Sequence, residues 1–102
     1  MKEPKLTDQA KDDLLGIWYT IASNRDERTA DRFTAKILDK CRVHAQLPEG
    51  GRLRVELSPG IRSFAVAPYV VFYMPEEDTI SVLRIVHGHR DIKRIMGRKE
   101  VP

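Results

Sequence analysis

A chain of 102 residues and 11.7 kDa, 41% apolar and 32% charged, has the make-up of one globular domain and no room for a separate catalytic module. Its net charge of +3 is unevenly placed: residues 1–40 carry eight basic and eight acidic side chains, residues 41–83 four and five, and residues 84–102 six and two, so the excess sits at the C-terminal end, where it can steer an acidic partner. Cys41 is the only cysteine, which excludes an intramolecular disulfide, and with no apolar run near the roughly 18 residues of a membrane span and no signal-peptide core, a reducing, cytoplasmic setting is expected.

Glu3 to Leu6 reads as a short edge strand, since Pro4 has no N–H to give to a central ladder. Thr7 is placed to cap a helix, with Asp8 favouring its dipole. Ala10, Leu14, Ile17, Trp18 and Ile21 then recur at helical spacing, and the helix closes near Ser23-Asn24. A second helix starts at Asp26 or Thr29. Its stripe of Ala30, Phe33, Ile37, Leu38, Cys41 and Ala45 runs until Pro48 stops it near Leu47. So short a connection folds the pair into an antiparallel hairpin, with Trp18, Phe33 and Cys41 expected in the core.

After the Glu49-Gly50-Gly51 breaker the period changes to that of strands. Ser58-Pro59-Gly60 is a turn and Ile61 to Val66 an alternating strand. Tyr69 to Met74 is rich in β-branched and aromatic residues, and Thr79 to His87 forms a third strand beyond an acidic turn. Alternation there places Ile80, Val82 and Val86 on one face and Leu83 and Ile85 on the other. Glu56 is positioned to pair with Arg62 across the turn. A short helix is expected within Asp91 to Met96.

The predicted architecture is therefore α+β in two layers: an N-terminal helical hairpin (7–47) on an antiparallel sheet (52–87), followed by a basic C-terminal segment (90–102), all in one domain. The order is β-α-α-β-β-β. The hairpin must bury its apolar stripe against one sheet face, leaving the other open.

Four segments resemble one family in order along the chain. Asp13-Leu14-Leu15-Gly16-Ile17-Trp18-Tyr19-Thr20-Ile21-Ala22 is similar to a first helix of the form D-L-x-x-I-W-x-Y-I-A. Gly51 to Ser63 resembles G-R-x-R-x-E-L-x-P-G-x-R-S, Tyr69 to Tyr73 resembles Y-x-x-F-Y, and Leu83 to Asp91 resembles L-R-V-x-H-G-x-R-D. These are patterns of ParE toxins, in the RelE/ParE superfamily. The resemblance implies the fold already derived and a role as the toxin of a type II toxin–antitoxin pair. It implies a ParD-type antitoxin as partner, DNA gyrase as target and no cofactor. RelE-like relatives instead cleave mRNA on the ribosome, which is the alternative.

Aligned with those nucleases, Arg62 and Arg90 keep a basic group, whereas Phe64, Tyr69 and Met96 replace a lysine, an arginine and a tyrosine. Cleavage without a metal needs a proton acceptor and cations for the developing phosphorane charge. Phe64 and Met96 supply neither, so a binding protein rather than an enzyme is expected. His87, His89 and Asp91 make a poor metal set, because nothing else in the chain adds histidine or cysteine at ligand spacing. The surface expected to meet antitoxin or target is Arg62, Tyr69, Arg84, His87 and Arg90, on the open face and C-terminal rim of the sheet.

Overall fold

The computed structural model describes residues 3–88. Strand β1 (Lys5–Leu6) leads into helix α1 (Asp8–Asn24) through Thr7, whose hydroxyl accepts the Ala10 amide at 3.1 Å. Asp26 caps helix α2 (Glu27–Gln46) in the same way, accepting from the Thr29 amide at 2.7 Å. Each cap satisfies a helix N–H that has no partner of its own. A single 3₁₀ turn (Pro48–Gly50) follows, then β2 (Arg52–Leu53), β3 (Arg62–Val66), β4 (Tyr69–Pro75) and β5 (Ile80–His87).

The five strands lie in the order β1-β5-β4-β3-β2. Pairing is antiparallel throughout β2 to β5, but β1 runs parallel to β5, with Lys5 beside Ser81 and Leu6 beside Val82. The sheet is thus mixed, not purely antiparallel as expected, because the two helices carry the chain from β1 on one edge to β2 on the other, and three antiparallel steps then bring β5 back beside β1 in the same direction. The extra strand β2 is too short to show any period in the sequence. The expected helix within 91–96 lies outside the described residues.

The hairpin covers one sheet face, where Ala10, Ile17, Ile37, Cys41 and Ala45 pack with Val66, Val71, Tyr73, Ile80, Val82 and Ile85. Phe33 leans on this core as expected. Trp18 does not belong to it: its indole Nε1 donates to the Asp31 carboxylate at 2.7 Å on the outer side of the hairpin. An indole that keeps a polar handle sits more cheaply at a wet boundary than in a core that offers no acceptor.

Two expectations about the strands need correction. Ile80, Val82 and Ile85 face the helices, whereas Val86 lies with Leu83 on the opposite side. The cause is a bulge: Phe72 opposes Arg84 and Tyr73 opposes Val82, so Leu83 is an extra residue and the alternation changes phase there. The second sheet face is also not bare. Leu57 and Ile61, from the loop between β2 and β3, pack onto Phe72 and Val86 as a small second core. Arg54 closes over it, its guanidinium 5.5 Å from the centre of the Phe72 ring and its Nε donating to Ser63 Oγ at 2.9 Å. Arg54 also takes Glu56 at 3.4 Å, so the expected Glu56–Arg62 pair does not form.

Candidate functional site

Strand β5 has β1 beside it only as far as Val82, and beyond that point α1 supplies partners for its outer edge. The Thr7 amide donates to Val82 O at 3.0 Å and the Thr7 hydroxyl to Leu83 O at 2.9 Å. One turn and a half later, Asp13 Oδ2 accepts the Ile85 amide at 2.9 Å. A threonine and an aspartate on a helix thus continue the ladder that β1 began, as buried backbone groups require. The same carboxylate holds Arg84 by a two-pronged pair, Nε to Oδ2 at 2.8 Å and Nη2 to Oδ1 at 3.0 Å. Both side chains are mostly sheltered, at 22% and 16% exposure. The hydrogen bonds that Arg84 donates to Asp13, and secondarily the carboxylate's charge, raise Arg84 above its ordinary range.

Past this clamp, α1 and the ends of β4 and β5 enclose a groove of about 500 Å³. Asp12, Gly16 and Thr20 line its helical wall, and Tyr69, Arg84 and His87 its sheet wall. Tyr69 forms the corner: its ring meets His87 edge-on at 5.6 Å and leans on Phe33 of α2 at 5.8 Å. Three of the five residues singled out in the sequence are therefore brought together, though on the helix-bounded rim of the sheet rather than on its second face.

Arg62 is elsewhere. It sits on β3, two strand spacings (about 10 Å) from β5, and its Nη1 donates to the carbonyls of Glu49 at 3.0 Å and Gly51 at 2.8 Å. With Tyr73, whose hydroxyl donates to Pro48 O at 2.8 Å and accepts from the Gly51 amide at 2.9 Å, it fastens the 3₁₀ turn to the sheet. That is a structural duty, and it sets Arg62 apart from the groove that gathers Tyr69, Arg84 and His87. Arg90 lies outside the described residues, as do His89, Asp91 and Met96. Among the described residues no group of three or more His, Cys, Asp or Glu is arranged to hold a metal ion. No described helix is long and apolar enough to cross a membrane.

Sequence reasoning missed two features. One is Asp13, whose signal beyond its motif is that of a carboxylate flanking the buried stripe, one turn before Ile17. The other is a second groove of about 370 Å³ on the outer side of the hairpin, floored by Leu14, Leu15, Trp18 and Leu38. Leu15 and Tyr19, more than half exposed, extend this apolar surface. They are four residues apart on the face that a simple amphipathic helix would keep polar, and that spacing was the available sign.

Comparison with known proteins agrees with this geometry. Residues 5–92 match a family model described as the ParE toxin of the type II toxin–antitoxin system parDE. Toxin ParE3 of Caulobacter vibrioides is 28% identical over 87 residues, covering 85% of this chain and 87% of that protein. Among solved structures, a chain of the chromosomal ParDE toxin–antitoxin system of P. aeruginosa superposes with a TM-score of 0.72 at 22% identity, over 85% of this chain and 96% of that one. This last likeness establishes the shared fold.

Proposed function

The chain belongs to the ParE toxin family of type II toxin–antitoxin systems, and from that premise we propose that it arrests growth by binding and poisoning DNA gyrase, without chemistry of its own, until a ParD-type antitoxin covers it. The observation that carries the binding reading concerns the positions where RelE-like relatives keep their nuclease groups. Phe64 is stacked on the His44 ring at 4.0 Å with the planes 5° apart, Tyr69 is wedged between Phe33 and His87, and Arg62 is spent on two backbone carbonyls. None of these is poised to take a proton or to meet a phosphorane.

The antitoxin is proposed to use the two grooves that flank α1. An amphipathic helix laid across α1 would place apolar side chains against Leu15, Trp18 and Leu38, and polar ones toward Arg84 and His87. A disordered antitoxin tail with acidic residues would fold on binding, its ordering cost offset by such anchors.

The deciding experiment is supercoiling by purified gyrase with added toxin. Dose-dependent inhibition with trapped cleavage complexes, reversed by the antitoxin, is expected; unimpaired supercoiling at excess toxin would remove gyrase as the target. Cleavage of ribosome-bound mRNA by the same preparation, lost in Arg90→Ala, would instead establish the RelE-like alternative.

A further inference from the structure

At the opposite end of β4 and β5 from Tyr69 and His87, the pairing ends at Pro75 and Ile80. Six residue steps along β4 put that end about 20 Å from the groove beside α1. A separate groove of about 500 Å³ opens there, between the end of α2 with its 3₁₀ turn and the turn after β4. Its apolar surface comes from Leu47, Pro48 and Pro75. Leu47 is 65% exposed, and Val43, four residues earlier on the same side of α2, is 53% exposed.

The rim is acidic. Glu49, Glu76 and Glu77 line the groove, all three exposed, and among the described residues none that lines it is cationic. Lys5 reaches Glu76, at 3.1 Å and well in solvent, where such a pair contributes little and yields readily to a competitor. In a chain with net charge +3 this end therefore carries the opposite sign, concentrated around aliphatic side chains that the fold leaves uncovered. Apolar floor and single-signed rim together define the complement: a segment with aliphatic anchors flanked by lysine or arginine.

We propose that this groove is a second docking surface, which takes a basic, aliphatic-anchored segment of another protein. It lies far enough from the groove between α1 and the sheet for both to be filled at once, and the proposal does not depend on what the α1 grooves bind.

The test uses the full chain and two short fluorescent peptides, one alternating lysine with leucine and the other glutamate with leucine, read by anisotropy. The lysine peptide is expected to bind, more weakly as salt rises, and the glutamate peptide not to bind. Glu49→Lys combined with Glu77→Lys should weaken the lysine peptide by about tenfold or more, and Leu47→Ser by severalfold, on the order of a lost rim charge or a lost anchor. All three positions are exposed, so circular dichroism should stay unchanged. Ala35→Lys, which adds a like charge on the exposed side of α2, should have little effect. Equal binding of both peptides, or indifference to the double charge reversal, overturns the proposal. Self-association in sedimentation, abolished by Lys93→Glu with Arg94→Glu as well as by the groove variants, would assign the groove to a second copy's basic end and overturn the separate partner.

Discussion

Asp13 and Arg84, 71 residues apart in sequence, meet in a two-pronged ion pair of 2.8 and 3.0 Å, and the same carboxylate caps the Ile85 amide. One side chain thus closes the open edge of β5, fixes the bulged segment and orients a guanidinium on the wall of the candidate groove. The consequence is that Arg84 does not wait unpaired for an acidic partner. In the proposed recognition it would act as half of a preset pair.

Removing either half should expose that arrangement. Asp13→Ala leaves a sheltered cation and an uncapped amide, and is expected to cost about 2–3 kcal/mol in urea unfolding, with Arg84→Ala costing less. A double-mutant cycle should return a coupling of about 1–2 kcal/mol. Additive effects would show that the pair is incidental.

Gly16 offers the opposite case. It lies inside α1 and lines the groove, and a methyl group built on it meets nothing within 4 Å. Gly16→Ala should raise stability by about 1 kcal/mol through helix propensity alone. The same methyl occupies groove space, so antitoxin affinity is expected to fall while thermal stability rises. Calorimetry on both quantities separates the two effects.

The fastening of the 3₁₀ turn makes a third prediction. A Cβ at Gly51 would collide with the Tyr73 hydroxyl and lie 2.9 Å from the Ser63 carbonyl, which is backbone and cannot retreat. Gly51→Ala is therefore expected to cost more than about 2 kcal/mol, whereas Tyr73→Phe, which only strands Pro48 O and the Gly51 amide, should cost about 1–2 kcal/mol. Thermal unfolding ranks the two variants, and the reverse order would contradict this account.

Alkaline pH supplies a fourth. Burial pushes the Cys41 thiol from its ordinary 9.0 up to about 12, against a smaller opposing pull from Arg42, and burial also raises the Tyr73 hydroxyl above 10.0. The folded chain holds these protons more tightly than the unfolded chain does. Their contribution is thus complete below pH 9.0 and is lost as pH rises from there toward 12. Urea midpoints should fall across that window, less so in Cys41→Ala, and the thiol should resist alkylation until the chain unfolds. A flat profile would refute the assignment.

The hairpin and its caps could be read directly because their forces are local. Thr7 to Ala10 and Asp26 to Thr29 are contacts over three residues, and the stripe from Ala30 to Ala45 declares its own periodicity. The strands were legible too, but not their facing beyond Leu83. A bulge is one residue of register, set by how two strands meet, and nothing in Leu83-Arg84-Ile85 announces it.

The candidate site divides along the same line. Sequence alone determined the family, the order of elements and the residue types at the C-terminal rim, since these rest on patterns within single segments. Tertiary structure decided what each of these polar side chains does: Arg84 is clamped by Asp13, Arg62 fastens a turn, Trp18 faces outward to Asp31, and Glu49 joins Glu76 and Glu77 around one groove. The physical reason is reach. A charged side chain takes whichever partner the fold carries to within about 3 Å, and here that partner stands between 11 and 71 residues away along the chain.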